Sequence, residues 1–396
     1  MPVVVLEGPR ASGKTAIGSI LADQGQIRST IDLSDPTVLA AAQGSPTLLV
    51  DEAQLPAFVD EAQLAPELAL AVKRRVDREH RNGVFVLTGS SRFGRSQLGG
   101  ADPLAGRSAR LRLWPMTQGE LAGTPVNAVA GLMGGAIPQG TFAALTKGQL
   151  IERLRRGGLP GLAGLRGPID AAIRSQLIAE YVEAVAHHED GKRHDRAELL
   201  RTFRYLAATT SRILNVSNVA SDLGAKRETV NGRIATLESI FLIHLLPSHR
   251  TSEHRTLTAH PKVHAIDTAL SAWASRADSE PDAQLYGALV ETFVVNELVA
   301  QASWCNDPPA VRHWRDTTRK VEVDALLVPD NGQTIAIEVK ASSDVRPDDL
   351  KGLRAYLEND PAAQMGLVYY SGGLVLPLGE RIWAIPISSL WDDSAN

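Results

Sequence analysis

Residues 8–15 read Gly-Pro-Arg-Ala-Ser-Gly-Lys-Thr and fit the pattern G-x-x-x-x-G-K-[ST]. An apolar run over residues 2–6 is short enough to be a buried strand, and residues 15–22 have the composition of a helix. In such a strand–loop–helix arrangement the main-chain N–H groups of the loop point at the phosphates of a nucleotide. The pattern therefore predicts a phosphate loop in which Lys14 reaches the β- and γ-phosphates and the Thr15 hydroxyl binds Mg²⁺. The residues predicted to contact ATP here are Gly8, Pro9, Arg10, Ala11, Ser12, Gly13, Lys14, Thr15 and Ala16.

A second apolar run, residues 47–50, ends in the adjacent carboxylates Asp51 and Glu52. The pattern predicts a buried strand with both acids at its carboxyl end. In that position Asp51 would hold Mg²⁺ through water, and Glu52 would polarise the attacking water. The alternation of apolar strands with helices predicts an α/β domain built on a parallel sheet.

A third apolar run, residues 84–87, ends in small hydroxyl residues. In ATPases of the AAA type a polar residue at this place senses the γ-phosphate, and Thr88 and Ser90 are both candidates, with Ser90 taken as part of the nucleotide site. Arg107 has two interpretations: an arginine finger acting on its own or a neighbouring subunit's nucleotide, or part of a solvated basic loop. The arginines that crowd this stretch are Arg92, Arg95, Arg107, Arg110 and Arg112.

Length and composition set further bounds. The 396 residues predict two or three domains at roughly 150 residues each. A net charge of −4 gives no overall nucleic-acid footprint, so any DNA contact must come from a local patch. Cys305 is the single cysteine, which excludes an intrachain disulfide and fits a reducing compartment. With neither a signal-peptide pattern nor a run of ~18 apolar residues, the sequence predicts a cytoplasmic protein without a membrane partner.

The middle of the chain carries a helix-turn-helix pattern. Helices are predicted over residues 199–206, 215–223 and 226–238, and a turn at residues 224–225 separates the last two. The third helix would lie in a DNA groove, although the same fold also serves as a protein-contact module. The side chains that this helix would present to DNA are Lys226, Arg227, Thr229, Asn231 and Arg233.

The last third of the chain places two acids and a lysine on a predicted hairpin. Residues 321–328 and 334–340 read as strands around a turn at residues 329–332, so Asp324 and Glu338 would lie on neighbouring antiparallel strands. Glu338 and Lys340 are two residues apart and share a face. This D…E-x-K constellation is that of PD-(D/E)XK nucleases, in which the acids hold a hard cation and the lysine helps to activate water. Alternating charges on a solvent-facing strand give the same spacing by accident, so both interpretations stay open.

Taken together, these motifs resemble a prokaryotic family of AAA-type ATPases that carry a C-terminal domain of unknown function with a restriction-endonuclease-like end. The resemblance implies a P-loop AAA-type core at residues 1–125, a helical and winged-helix middle at 126–255, and a PD-(D/E)XK nuclease-like α/β domain at 256–396. It also implies that Glu291 is the auxiliary acid of a metal site with Asp324 and Glu338. The segments that carry the resemblance are residues 8–15, 48–52, 87–91, 104–107, 113–121, 158–160, 261–268, 287–291 and 314–340.

The sequence therefore predicts an ATP-binding and ATP-hydrolysing protein that acts on DNA. Mg²⁺ is the expected ion at the nucleotide, and Mg²⁺ or Mn²⁺ at the nuclease-like acids, which would cleave or merely grip DNA. The alternative is a nucleotide-driven switch acting on protein partners, with an inactive nuclease-like domain. A second copy of the chain is a further expected partner, since an arginine finger can be supplied by a neighbour.

Overall fold

The structure is a computed structural model that describes residues 1–91, 102–164, 171–189, 195–249, 260–275, 281–330 and 332–392. Arg92 and Arg95 lie outside the described residues. The chain divides into two compact units, residues 1–114 with 239–241, and residues 115–238 with 242–396. The division into three domains predicted from the sequence is finer than this and stays a prediction.

The first unit is built on a parallel sheet. Its strand order is β2-β3-β4-β1-β5, and each neighbouring pair is parallel. The predicted parallel sheet is thus confirmed. The strands are β1 (Val3–Glu7), β2 (Ser29–Asp32), β3 (Ala57–Asp60), β4 (Phe85–Gly89) and β5 (Ser108–Arg112). The helices are α1 (Lys14–Asp23), α2 (Pro36–Gly44), α3 (Pro46–Glu52) and α4 (Leu68–Glu79), with a 3₁₀ turn at Ala62–Leu64.

The strand predicted over residues 47–53 is wrong, because Pro46–Glu52 forms helix α3. Proline is favoured in the first turn of a helix, where its missing N–H has no partner to lose. Within the apolar run Val50 is buried whereas Leu48 is 62% exposed, so only one side of this short helix faces the core. The strand that pairs with β4 is β3 instead, and all four of its residues are buried.

The second unit contains a mixed sheet of order β12-β13-β11-β10-β9-β8. The central strand β10 is antiparallel to β9 and parallel to β11, and β8 pairs antiparallel with β9. The predicted pair of antiparallel strands is therefore confirmed. The strands are β8 (Ala310–Asp316), β9 (Val321–Val328), β10 (Ile335–Lys340), β11 (Met365–Tyr370), β12 (Leu376–Gly379) and β13 (Ile382–Pro386).

Helices cover both faces of this sheet. Because successive side chains of a strand point to opposite faces, Leu327 packs in one core with Phe293, while Leu326 packs in another core with Tyr356. Phe293 belongs to α14 (Ala283–Ala302) and Tyr356 to α15 (Lys351–Asn359). The 3₁₀ turns of this sheet region are Pro347–Leu350 and Ile387–Leu390.

The remainder of the second unit is mainly helical. The three predicted helices of the helix-turn-helix are confirmed as α10, α11 and α12, and Gly224 ends α11 in the left-handed conformation with φ 64°. An antiparallel pair, β6 and β7, follows them in the chain. The elements are α5 (Gln118–Ala122), α6 (Ala128–Met133), α7 (Lys147–Arg156), α8 (Pro160–Ala163), α9 (Ala171–Glu189), α10 (Arg196–Ala208), α11 (Val216–Leu223), α12 (Arg227–Ser239), β6 (Ile243–Leu246), β7 (Lys262–Ala265) and α13 (Thr268–Ala274). None of the helices in the described ranges combines the length and apolar character needed to cross a bilayer.

Candidate functional site

The phosphate loop joins β1 to α1, as the sequence predicts. Gly13 has φ 96°, a left-handed conformation that glycine adopts at little cost. A Cβ atom on Gly8 would lie 2.3 Å from the main-chain oxygen of Leu113, so no larger residue fits there. The glycines of the pattern are therefore required by backbone conformation at one position and by space at the other.

Lys14 is buried at the start of α1, with 4% of its surface exposed. Its Nζ donates hydrogen bonds to the main-chain oxygens of Gly8, at 3.0 Å, and Pro9, at 2.7 Å. Burial lowers the pKa of Lys14 to about 8, and the nearby charges of Glu61 and Asp60 act in the opposite direction. The lysine thus lies across the loop it belongs to, beside two carboxylates.

Asp60, the last residue of β3, lies between two hydroxyl groups. Thr15 Oγ1 donates to Asp60 Oδ2 at 2.7 Å, and the Thr88 hydroxyl donates to Asp60 Oδ1. Thr88 is fully buried and accepts a hydrogen bond from the Glu61 N–H at 3.2 Å. Three neighbouring elements, α1, β3 and β4, therefore bring a carboxylate and two hydroxyls together at the carboxyl edge of the sheet.

Glu61 follows Asp60 directly and has φ 54°, in the left-handed region that costs a residue with a side chain about 1–2 kcal/mol. Ser90 Oγ donates to Glu61 Oε2 at 3.0 Å. Gln63 Nε2 donates to Ser90 Oγ at 3.0 Å and also to Glu61 Oε2. This strained, hydrogen-bonded conformation holds the Glu61 carboxylate beside Ser90, the predicted sensor.

The acids predicted for this role, Asp51 and Glu52, lie elsewhere, at the end of α3. The Asp51 main-chain oxygen accepts a hydrogen bond from Arg75 Nη1 at 3.0 Å, and its carboxylate pairs with Arg78 of α4. The reason for the wrong prediction is a repeat: residues 50–55 and 59–64 both read Val-Asp-Glu-Ala-Gln-Leu. Both copies follow a proline, but Ser45-Pro46 starts helix α3 in front of the first copy, whereas Leu55-Pro56 stands in front of strand β3 and the second copy.

Arg107 lies at the opposite edge of the sheet from the phosphate loop. Its main-chain oxygen accepts from the N–H of Val3, the first residue of β1, whereas the loop follows the last residue of that strand. The length of β1 puts about 13 Å between the two edges. Arg107 also makes a bidentate pair with Asp77, at 2.5 and 3.1 Å. Arg107 therefore does not serve its own nucleotide site, and a role at a second copy's site stays a prediction.

The residues at the carboxyl edge fit a nucleotide with Mg²⁺. The Ser12 hydroxyl is buried and has no hydrogen-bond partner among the described residues, as expected of a group directed at a ligand phosphate. Thr15 and Asp60 present adjacent oxygen atoms, the donor type that Mg²⁺ prefers. These residues would hold the ion and the phosphates, with Lys14 as the cation of the loop.

The acids of the C-terminal sheet form a second cluster, and its centre is a lysine that the sequence did not indicate. Lys262 Nζ donates to Glu291 Oε1 at 2.8 Å and to Asp324 Oδ1 at 2.9 Å. Lys340 Nζ donates to Glu338 Oε1 at 2.9 Å, and the Val339 N–H donates to Asp324 Oδ2 at 3.0 Å. Burial, followed by the charge of Asp324, raises the pKa values of Glu291 and Glu338, while the charges of Lys262 and Lys340 act in the opposite direction. We name Lys262, Glu291, Asp324 and Glu338 the lysine–acid cluster.

The lysine–acid cluster does not fit a divalent cation. Among the described residues no three His, Cys, Asp or Glu side chains are grouped as ligands for a metal ion. The predicted metal ligands Glu291 and Asp324 are bridged by the ammonium of Lys262 instead.

Trp314 lies on strand β8, which precedes the β9–β10 pair in the chain. It is 7% exposed and packs edge-on against Tyr356 with ring centroids 5.3 Å apart, so it belongs to the core.

The helix-turn-helix presents four of its five predicted polar side chains to solvent. The exception is Arg233, which is 7% exposed and pairs with Glu198 of α10 at 3.1 Å. It lies on the same side of α12 as Val230 and Ile234, because residues three and four apart share a helix face, and therefore belongs to the packing side. The exposed residues are Lys226, Arg227, Thr229 and Asn231.

Comparisons with known proteins agree with the first unit. Residues 1–122 match a family model described as AAA domain, residues 147–281 a domain of unknown function (DUF8612), and residues 286–390 a domain of unknown function (DUF4143). The chain is 27% identical over 395 residues to uncharacterized proteins of Mycobacterium bovis and Mycobacterium tuberculosis, covering 98% of this chain and 81% of each relative.

Two solved structures show weaker similarity. A RuvB variant of Thermotoga maritima is 19% identical with a TM-score of 0.26, covering 62% of this chain and 83% of that one. A signal transduction ATPase with numerous domains (STAND) and a tetratricopeptide repeat sensor, from Pyrococcus horikoshii, is 12% identical with a TM-score of 0.24, covering 76% and 45%. TM-scores this low establish no shared fold. The family match and the parallel sheet with its phosphate loop establish that residues 1–122 carry an AAA domain, and that the chain is ATPase-like.

Proposed function

We propose that this chain hydrolyses ATP, with Asp60 and Thr15 holding Mg²⁺ and Glu61 polarising the attacking water. The observation that carries the proposal is the 2.7 Å hydrogen bond between Thr15 Oγ1 and Asp60 Oδ2, since it joins the last residue of the phosphate loop to a strand-end acid. Bound Mg²⁺ offsets the charge of the phosphates. Lys14 adds a positive charge at the loop, and Ser90 and Gln63 orient the Glu61 carboxylate through their hydrogen bonds.

The repeated hexapeptide offers a matched test, because Glu61 and Glu52 occupy the same position in two identical sequences. We expect Glu61→Gln to lower the ATP turnover number by about 100-fold or more, the usual effect of removing a positioned base, while ATP still binds. Glu52→Gln lies in α3 and should keep the wild-type rate. Steady-state phosphate release and binding of a fluorescent ATP analogue measure the two effects. Loss of turnover in Glu52→Gln with retention in Glu61→Gln would reverse the assignment.

We also propose that the protein acts on DNA, through the exposed start of α12 and a C-terminal domain derived from a nuclease. The element order α10-α11-α12-β6-β7, with a bridge between Ile213 and Lys262 beside the hairpin, supports a winged-helix arrangement. The order α14-β8-β9-β10-α15-β11, with β10 antiparallel to β9 and parallel to β11, supports a PD-(D/E)XK-like core. Within this proposal the C-terminal domain grips DNA rather than cutting it, because the lysine–acid cluster does not fit a metal ion.

A further inference from the structure

Two elements besides its own strand converge on the side chain of Lys262. It extends from β7 and is 2% exposed at the side chain. Its Nζ lies 2.8 Å from Glu291 Oε1 of α14 and 2.9 Å from Asp324 Oδ1 of β9, with Glu322 Oε1 at 4.0 Å. A buried lysine is stable as a cation only where carboxylates compensate its charge, and two do so here at hydrogen-bonding distance.

The ammonium occupies the space between the two acids that a shared metal ion would need. Carboxylate oxygens bind Mg²⁺ or Ca²⁺ at about 2.0–2.6 Å, so one ion bridging Glu291 Oε1 and Asp324 Oδ1 would stand where Nζ stands. A metal ion and the ammonium group cannot share that space. Neither Glu291 Oε1 nor Asp324 Oδ1 can turn toward a metal ion elsewhere without losing its hydrogen bond to Lys262 Nζ. Asp324 is fixed further by the Val339 N–H, which donates to its second oxygen at 3.0 Å.

The charge of the third acid, Glu338, is compensated by a different lysine. Glu338 Oε1 accepts from Lys340, while Glu338 Oε2 is buried and has no hydrogen-bond partner among the described residues. A Cβ atom on Gly352 would lie 3.7 Å from that oxygen and 2.0 Å from the Glu322 main-chain oxygen, so α15 packs closely over this side of the cluster. Each of the three acids therefore has one lysine contact, and none presents a pair of free oxygens.

We infer that Lys262 is the resident cation of the lysine–acid cluster: its ammonium takes the place of a divalent metal between Glu291 and Asp324. While Lys262 is in place, the cluster binds neither Mg²⁺ nor Mn²⁺ and does not cleave phosphodiesters. The same side chain ties the β6–β7 hairpin, which follows the helix-turn-helix, to α14 and the C-terminal sheet. This inference is independent of the proposed ATP hydrolysis, because its test needs no nucleotide.

Mn²⁺ titration, followed by the electron paramagnetic resonance signal of the free ion, tests the inference on the full chain without nucleotide. We expect wild type and Asp324→Asn to give the same Mn²⁺ stoichiometry. Lys262→Met keeps the length of the side chain and removes its charge, and it should gain one Mn²⁺ per chain that is lost again in Lys262→Met/Asp324→Asn. The matched control is Lys340→Met, which removes the other lysine and should gain no Mn²⁺ that depends on Asp324.

Two results of the titration would overturn the inference. One is a Mn²⁺ in the wild type that disappears in Asp324→Asn, since the acids would then hold a metal beside Lys262. The other is a folded Lys262→Met, judged by circular dichroism, that gains no Mn²⁺, since the lysine would then not stand in for an ion. If Lys262→Met fails to fold, Lys262→Gln, which is also neutral but can still donate hydrogen bonds to the acids, replaces it in the titration with the same expected gain and the same contrary result. Cleavage of labelled duplex DNA by the wild type with Mn²⁺, lost in Asp324→Asn, would refute the absence of cleavage.

Discussion

Glu297 is a carboxylic acid enclosed in the apolar helix α14, with 5% of its surface exposed. It accepts hydrogen bonds from the Gln118 N–H at 2.8 Å and from Gln301 Nε2 at 3.3 Å. Burial raises the pKa of Glu297 from its usual value near 4.5 to about 8. The folded chain thus keeps a proton that the unfolded chain releases between these two pH values, so stability is full below the lower value and falls as pH rises toward the upper one.

We therefore expect the free energy of unfolding of the second unit to decrease between pH 5 and 8, by up to about 1.4 kcal/mol per pH unit from Glu297 alone. Glu297→Gln removes this titrating group. The free energy of unfolding of the wild type minus that of the variant should therefore shrink or change sign as pH rises. Urea unfolding at half-unit pH steps measures it. Asp267, Glu291 and Glu338 also have raised pKa values. Their contribution is common to both proteins, so it cancels when the variant's free energy of unfolding is subtracted from that of the wild type. Parallel curves for the two proteins would show that Glu297 does not titrate in this range.

Single residues also mark where sequence reasoning stops. The glycines and Lys14 of the phosphate loop were predicted because their spacing is dictated locally by a tight turn. The sequence predicts the strand-end acids in the first copy of Val-Asp-Glu-Ala-Gln-Leu, whereas strand β3 runs into the second copy. Identical hexapeptides differ only in their surroundings, and these decide between helix and strand. Lys262 was not predicted as a site residue, since its partners Glu291 and Asp324 are 29 and 62 positions away in the chain.

At the scale of elements, hydrophobic periodicity gave correct helices over 199–206, 215–223 and 226–238, and a correct strand pair over 321–340. Periodicity could not tell which polar residues of α12 face inward. Arg233 was expected at the surface, but the partner that draws it into the packing side, Glu198, lies on another helix. The exposed positions are those at the first turns of α12, where a helix end is most accessible to a phosphate backbone.

The start of α12 makes the DNA proposal testable. We expect the double variant Lys226→Glu/Arg227→Glu to weaken duplex binding at low salt, and to reduce the slope of log K against log salt by about 1 for each lost phosphate contact. Fluorescence anisotropy with a labelled duplex, at about 25 to 200 mM salt, measures both the affinity for the duplex and its dependence on salt. Arg74→Glu/Arg81→Glu, which makes the same change in charge on two exposed side chains of the first unit, is the control.

Three results would count against the proposal at different points. If the wild type binds no duplex at low salt, the chain does not act on DNA, and the nucleotide-driven switch with protein partners becomes the better account. If the wild type binds and the double variant binds equally well, another surface makes the contact. Equal weakening in Arg74→Glu/Arg81→Glu would indicate a general charge effect rather than a contact by α12.

At the scale of the whole molecule, the two compact units carry different kinds of chemistry. The phosphate loop, Asp60 and Glu61 all lie in residues 1–114, while the lysine–acid cluster and the helix-turn-helix lie in residues 115–238 and 242–396. Each unit has apolar cores of its own, the first between its parallel sheet and helices, the second on both faces of the mixed sheet. A ligand that binds the folded state stabilises the part of the chain whose folding creates its site.

The distribution of tryptophan allows this to be measured without cutting the chain. Of the six tryptophans, Trp114 belongs to the first unit, and Trp273, Trp304, Trp314, Trp383 and Trp391 belong to the second. Tryptophan fluorescence therefore follows mainly the second unit, whereas calorimetry follows both.

We expect a non-hydrolysable ATP analogue with Mg²⁺, at about 100 times its dissociation constant, to stabilise the first unit by about 2.7 kcal/mol. The calorimetric transition of that unit should rise, and the fluorescence transition should stay in place. Lys14→Ala, which removes the loop cation, should abolish the calorimetric shift. An equal rise in the midpoint temperature of both transitions would mean instead that the chain unfolds as one cooperative unit. Nucleotide binding would then stabilise the residues of the lysine–acid cluster as much as those of the phosphate loop.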